Sequence, residues 1–478
     1  MTTESTPLAK GSTPRILVVG GGYVGMYAAL RLQRKLKPPR ERDQERTAEV
    51  RAAAPAPAEI VVVEPQPYMT YQPFLPEAAA GSISPRHVVV PLRRLLDRCR
   101  IVVGEARAID HARRVATVAT LATAQDGGAE LEIPYDQLVL APGSISRTLP
   151  VPGLAEHGIG FTTVEEAIGL RNHVLEQLDI ASATRDAEVR EAALTFVFVG
   201  GGYAGTEALA ELENMARYAV RYYHNIQPDD LKWVLVEATG RILPEVGEEL
   251  GRYAVRELRG RNVDVRLETR LVSCEGRVAV LSDGAHLPTR TLVWTAGVKP
   301  APVLAASGLP LDARGRLRAD ATLRVVGDGG PVAGVWSGGD AAAVPDLAAD
   351  DPGALCAPNA QHAVRQARVL ADNLVAELRG GGQLTEYRHK HAGSVASLGL
   401  HEGVAHLYGR KVTGYPAWLI HRAYHLSRVP TVNRKAKVLA EWVLAGLFTR
   451  EIVSLGSLEH PRAEFELAAG GGPDDDRR

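Results

Sequence analysis

The sequence predicts an α/β protein with two Rossmann-like dinucleotide-binding domains, the second inserted in the first, and an α-rich C-terminal membrane or interface segment. Three observations predict it. Two glycine fingerprints, Gly20-Gly21-Gly22-Tyr23-Val24-Gly25 and Gly200-Gly201-Gly202-Tyr203-Ala204-Gly205, each lie between a strand-like run and a helix-like run. A late Ser337-Gly338-Gly339-Asp340-Ala341 motif reads as a return to the first domain, and the stretch from Tyr408 to Arg450 has a basic, aromatic composition of its own.

The first fingerprint follows the apolar run Ile16 to Val19 and opens a helix pattern from Met26 to Leu36; the second follows Phe196 to Val199 and opens one from Thr206 to Arg217. Glycine is needed there for the tight turn, for close approach of backbone to a pyrophosphate, and for helix-on-strand packing, with the helix N-terminus facing the phosphate charge. Gly20, Gly22 and Gly25 therefore mark one dinucleotide, and Gly200, Gly202 and Gly205 a second. Two such sites in one chain imply FAD and NADH. Each unit also carries an acid closing its next strand, Glu64 after Glu59 to Val63 and Glu237 after Lys232 to Val236. A carboxylate there accepts ribose hydroxyls and, in the second unit, repels a 2′-phosphate. Both intervals exceed the usual spacing of about 20 residues. In the first, the excess is the charged, proline-bearing insertion 37–58, read as a solvated loop.

Composition fits this reading. A chain of 478 residues with 45% hydrophobic content suggests two or three domains with sizeable cores. A net charge of −1 excludes nucleic acid as a partner of the whole surface. Cys99, Cys274 and Cys356 are widely separated and form no Cys-x-x-Cys, so neither a disulfide framework nor a zinc site is expected, and no metal. No secretory signal and no spanning helix are expected. The domain expectations are a disordered 1–14, the FAD-binding domain in 15–150 and 299–386, the NADH-binding domain in 151–298, a C-terminal domain with amphipathic helices in 387–465, and a disordered tail in 466–478.

With these motifs stand Tyr71-Gln72-Pro73-Phe74-Leu75-Pro76-Glu77, Gly81-Ser82-Ile83-Ser84-Pro85, Leu138-Val139-Leu140-Ala141-Pro142-Gly143-Ser144, Thr295-Ala296-Gly297-Val298 and Ala360-Gln361-His362-Ala363-Val364-Arg365-Gln366. Together they make the chain resemble the two-dinucleotide-binding-domain flavoproteins, and within them the type II NADH:quinone oxidoreductases, from Arg15 to about Pro461. The resemblance implies hydride transfer from NADH to FAD and two electrons onward to a quinone, without proton pumping. It places Gly143, Gly339 and Asp340 at the flavin, Gln361 on the quinone side, and Glu207 near the nicotinamide and flavin rings.

Each residue also has a plainer reading. Asp340 reads as a ribityl ligand, and a helix N-cap before Ala341 to Ala343 is compatible with that role. Glu207 is either a positioning or proton-relaying acid or a first-turn acid favoured by the helix dipole. Gln366 and Arg365 are either further quinone-side residues or ordinary surface polar groups, and His362 and His391 are proton-delivery candidates or structural histidines. A sulfide:quinone oxidoreductase of the same fold would need a working cysteine pair, and only Cys356 lies in the right neighbourhood. A low-turnover flavin redox sensor or partner-binding protein is the alternative from another class.

From Tyr408 to Arg450 eight Lys or Arg face a single acid, Glu441. Trp418, Tyr424, Trp442 and Phe448 are interleaved, and Val438, Trp442 and Ala445 with Leu439, Val443 and Leu447 form an apolar stripe at helical spacing. This pattern suits peripheral contact on the cytoplasmic side of the cell membrane; a core helix with a solvated basic face in a cytoplasmic protein is the alternative. A homodimer is left open.

Overall fold

In the computed structural model, which describes residues 13–36, 58–389, 393–449 and 452–454, both fingerprints fold as βαβ units. Strand β1 (Arg15–Val19) runs into helix α1 (Tyr23–Lys35), and β2 (Glu59–Glu64) returns parallel to β1. Strand β3 (Thr195–Val199), helix α2 (Tyr203–Ala219) and β4 (Lys232–Val236) repeat the arrangement. These strands read as near-continuous Val, Ile, Leu and Phe because parallel strands are covered on both faces, and Leu17, Val61, Val197 and Leu235 are fully or almost fully buried. The expected insertion and both expected tails fall almost entirely outside the described residues, as do His391 and Arg450.

The chain divides into two compact units, each built from three stretches. The first comprises Met1–Tyr71, Val88–Arg147 and Gly297–Ala392. Its eight-stranded sheet runs Arg324–Gly327, Gly330–Trp336, Gln137–Leu140, β1, β2, Arg100–Asp110, Val115–Thr120, Leu131–Pro134. β1 lies between β2 and Gln137–Leu140, parallel to both, so the chain leaves β1 at the point where strand order reverses. Helix α3 (Ala360–Leu378) starts at Asn359, whose side chain accepts the His362 N–H, and is tied to α1 by ion pairs from Arg31 and Lys35 to Asp372.

The second unit comprises Gln72–His87, Thr148–Ala296 and Gly393–Arg478. Its five-stranded parallel sheet runs Gly158–Ile159, Thr291–Trp294, β3, β4, Val263–Arg266. Three antiparallel strands, Ser394–Ser397, Gly403–Leu407 and Arg410–Thr413, lead into helices α4 (Gly414–Arg428) and α5 (Val432–Leu447). This C-terminal part, expected as a domain of its own, belongs to the second unit, and so does Gln72–His87, expected in the first domain. The reason is a shared polar core: buried Glu77 receives the Trp442 indole N–H at 2.7 Å and the Arg422 guanidinium at 3.2 Å, while Glu441 accepts the Ser84 N–H. Among the described residues no helix is long and apolar enough to cross a membrane.

Candidate active site

In the first unit the three fingerprint glycines divide their work by geometry. A Cβ on Gly20, at φ +100°, would lie 2.2 Å from the Ala141 carbonyl oxygen, and one on Gly25 only 1.7 Å from the Gly20 oxygen, whereas one on Gly22 meets nothing within 4 Å. The outer pair close the turn and seat α1; the middle one leaves bare backbone at a helix N-terminus, where a pyrophosphate can approach. Glu64 accepts the Gly21 N–H, and burial pushes its carboxyl above the ordinary range against the pull of that bond. Gly143 also has open space over its Cα.

Asp340 sits inside a single 3-10 turn, Gly339–Ala341, and accepts the Ser144 hydroxyl at 2.7 Å; it caps no helix, so the N-cap reading fails. Burial raises its carboxyl too, with the Ser144 bond opposing. Two carboxyls held half-desolvated are costly unless further donors reach them. Ribose and ribityl hydroxyls are such donors, and the residues present therefore fit FAD. Gln366 is buried, so the surface alternative fails, and its Oε1 accepts the Gly339 N–H at 2.7 Å. It holds the glycine turn that carries Asp340.

The second unit repeats the cradle. A Cβ on Gly205 would meet the Gly200 oxygen at 2.0 Å and Thr295 Oγ1 at 2.4 Å, while Gly202 is open. Glu237 Oε2 accepts the Gly201 N–H at 2.7 Å, and its Oε1 accepts both the N–H and the hydroxyl of Thr239 at 2.8 Å. These bonds fix the carboxylate beside the glycine turn, where ribose hydroxyls of NADH would lie.

Glu207 is not a first-turn acid. The helix begins at Tyr203 with no acid in its first turn, and Glu207 stands one turn further in, 6% exposed. Its Oε1 accepts the Ser397 N–H at 2.8 Å and lies 3.2 Å from His421 Nε2.

At the head of α3, Gln361 is half-buried and its Oε1 accepts from Arg365 at 3.3 Å. His362 is buried, with Nδ1 2.9 Å from the Tyr387 hydroxyl and its ring stacked on His389 at 4.1 Å. Cys356 is buried, and burial together with Asp346 pushes its thiol up to about 11, far from a reactive thiolate.

The C-terminal stripe divides. Val438 is fully buried and Trp442 packs edge-on against Phe74, while Leu439, Val443, Leu444, Leu447 and Phe448 are exposed, Leu447 by 73%. Three cations of the basic stretch have partners: Arg422 turns inward to Glu77, and at the surface Arg434 donates to the Arg86 carbonyl and Lys435 to the Ser427 carbonyl.

A family model described as pyridine nucleotide-disulphide oxidoreductase matches residues 46–367. The chain belongs to this family. As a member of the pyridine nucleotide-disulphide oxidoreductases it is similar to the type II NADH:quinone oxidoreductase Ndh of Mycobacterium tuberculosis, 26% identical over 450 residues, covering 91% of this chain and 89% of that one. It is also similar to the type II NADH:quinone oxidoreductase of Staphylococcus epidermidis, 28% identical over 409 residues, 84% of this chain and 92% of the other. Among solved structures, NDH2 from Plasmodium falciparum in complex with NADH superposes with a TM-score of 0.79 at 14% identity, over 93% of this chain and 100% of that one, a likeness of fold.

The disulphide of the family name has no counterpart here: all three cysteines are free, and Cys99 and Cys356 are each desolvated thiols. What sequence reading missed in this family member is the pairing of Glu207 with His421 and the inward role of Gln366. For Gln366 a signal existed: it falls five residues after Gln361, hence on another face of α3, the one carrying buried Ala363, Ala367 and Leu370.

Proposed function

We propose that the chain is an FAD-dependent, non-proton-pumping type II NADH:quinone oxidoreductase, which oxidises NADH and passes two electrons to a quinone. The observation that carries the reading is the paired cradle: one open glycine at a helix N-terminus and one ribose-position acid in each unit. The curated relatives of near-equal length named for this reaction support it. When bound, the flavin supplies the hydride-accepting and electron-donating chemistry. The chain's residues bind and orient: Gly22, Glu64, Gly143, Gly339 and Asp340 hold FAD, with Gly20 and Gly25 shaping the turn, and Gly202 and Glu237 hold NADH, with Gly200 and Gly205 shaping theirs. Gln361 offers a side-chain amide, both donor and acceptor, to a quinone carbonyl. The exposed Leu439, Val443, Leu447 and Phe448 suit shallow insertion into the cytoplasmic face of a membrane, where a lipid-soluble quinone is found.

The test is the visible spectrum of the purified protein. It should be yellow, bleach on anaerobic NADH, and recover its colour when a soluble quinone is added. Protein that folds without flavin, or flavin that NADH leaves oxidised, refutes the reading.

A further inference from the structure

The first unit holds a cluster that the proposed cofactor contacts do not use. Val344 to Asp346 and Ala354 to Cys356 pair as a short antiparallel ladder: the Asp346 N–H donates to the Ala354 carbonyl and the Cys356 N–H to the Val344 carbonyl, both at 2.9 Å, with Pro345 opposite Leu355. Side chains alternate along such a pair, so Asp346 and Cys356 stand diagonally on one face. His362, in the first turn of α3, completes the group. Among the described residues this is where a thiol, an imidazole nitrogen and a carboxylate oxygen all come within 4.8 Å of one another.

The arrangement suits a divalent cation. Three atoms no more than 4.8 Å apart leave a point at most about 2.8 Å from each, so shifts of roughly 0.5–0.8 Å bring all three to the about 2.0–2.3 Å of zinc–ligand bonds. Sulfur, nitrogen and oxygen donors together fit zinc, a borderline-soft ion with no geometric preference of its own. Supporting bonds hold the ligands in place. The Tyr387 hydroxyl stands 2.9 Å from His362 Nδ1, the Asn359 side chain accepts the His362 backbone N–H, and Asp346 Oδ1 accepts the Ala348 N–H at 3.1 Å. Outer partners of this kind orient ligating imidazoles and carboxylates. Cys356 and His362 are buried and Asp346 is half-buried, so water can fill a fourth position beside three protein ligands.

The same three groups fit poorly together without a cation. Burial and the Asp346 carboxylate both push the Cys356 thiol up, and Gln366 and Arg316 offset this only in part. A cation between thiol and carboxylate attracts both and takes the sulfur as its thiolate. In sequence the three residues stand ten and six apart, which matches no zinc motif, so spacing does not announce the group.

We propose that Asp346, Cys356 and His362 bind a divalent cation of the zinc class, which ties the 344–356 ladder to the head of α3 beside Gln361. Binding forms metal–sulfur, metal–nitrogen and metal–oxygen bonds and releases the thiol proton to water; no electrons move. The site lies wholly within the first unit, goes beyond the quinone-reductase reading and does not depend on it.

The probe is Co²⁺ alone, added to FAD-loaded protein stripped with a chelator. Wild type should retain about one equivalent after desalting. It should show a thiolate-to-cobalt band and tetrahedral d–d bands to the red of oxidised flavin, and Zn²⁺ should displace them. Cys356→Ser should lose the thiolate band, and Cys356→Ser and His362→Gln should each weaken Co²⁺ binding at least about a hundredfold, the upper end of what an outer partner alone contributes. Tyr387→Phe should weaken it about tenfold, and Cys99→Ser should behave as wild type. Asp346→Asn, at the most exposed of the three positions, keeps the test open if the other ligand variants fail to fold. Wild-type protein that keeps FAD but retains no Co²⁺, or binding that the ligand variants leave unchanged, overturns the site. Equal loss in Cys99→Ser marks adventitious capture by any thiol and overturns it as well.

Discussion

The two outer glycines and the middle glycine of the second fingerprint should fail in different ways when a single methyl group is added. Gly202 has φ −72°, a value any residue adopts, and its Cβ would meet nothing within 4 Å. Gly202→Ala should therefore cost the fold no more than about 1 kcal/mol, the penalty of alanine at a helix N-cap. On the proposed assignment, however, the methyl stands where the NADH pyrophosphate would reach the first N–H groups of α2. Losing one charge-assisted hydrogen bond there is worth about 1.5–3 kcal/mol, so the NADH dissociation constant should rise about ten- to a hundredfold, with FAD content unchanged. Gly205→Ala puts its methyl 2.0 Å from the Gly200 oxygen and 2.4 Å from Thr295 Oγ1, against the roughly 3.5 Å of an ordinary contact. The turn must open by more than an ångström, at about 1–3 kcal/mol or more, and the melting temperature should fall. Stopped-flow flavin reduction across NADH concentrations and thermal unfolding separate the two. Wild-type NADH affinity in Gly202→Ala would refute the assignment of the second cradle.

Wild type should prefer NADH to NADPH by at least about tenfold, about 1.4 kcal/mol, and Glu237→Gln should narrow the ratio in steady-state assays; equal use by wild type removes the carboxylate's role. Gln361→Ala should slow flavin reoxidation by quinone while leaving flavin reduction by NADH nearly intact, and equal loss in both phases would make it structural. Because burial raises the Asp340 carboxyl in the fold, the cofactor-free fold binds more protons than the unfolded chain, and the contribution of Asp340 to stability is lost as pH rises through its folded value. Asp340→Asn should hence stabilise FAD-free protein at pH 7.5 but not below about pH 4, while weakening FAD; denaturation with and without FAD at both pH values checks this. Leu439→Glu with Val443→Glu should reduce co-sedimentation with anionic liposomes at least about tenfold at unchanged FAD content, and a wild type that ignores liposomes at every salt concentration leaves the face merely exposed.

The βαβ units were legible because their information is local: a five-residue apolar strand, three glycines and a helix pattern lie within one short window. The same holds for Glu64 and Glu237, each at the end of the next strand. Glu207 was legible as a residue but not in its environment, since its partners Ser397 and His421 come from far along the chain and no periodicity in α2 announces them. The basic stretch misled for a related reason. Arg422 and Arg434 look like free surface charge in sequence, yet Glu77 and the Arg86 carbonyl supply their partners from a segment more than three hundred residues earlier. Helical spacing located the apolar stripe correctly but could not say which edge of it, Val438 and Trp442 or Leu439 and Val443, would be covered.

The clamp between Gln72–His87 and the C-terminal helices sets an order of assembly. Glu77 emerges from the ribosome long before Trp442, 365 residues later, can donate to it. Until then the carboxylate has neither the indole nor the Arg422 guanidinium that justifies its burial, and Phe74 lacks the ring it packs against. The first unit needs nothing beyond residue 392 and can close earlier. The second must wait for nearly the whole chain, a non-local closure of the kind that slows folding and leaves apolar surface open during synthesis.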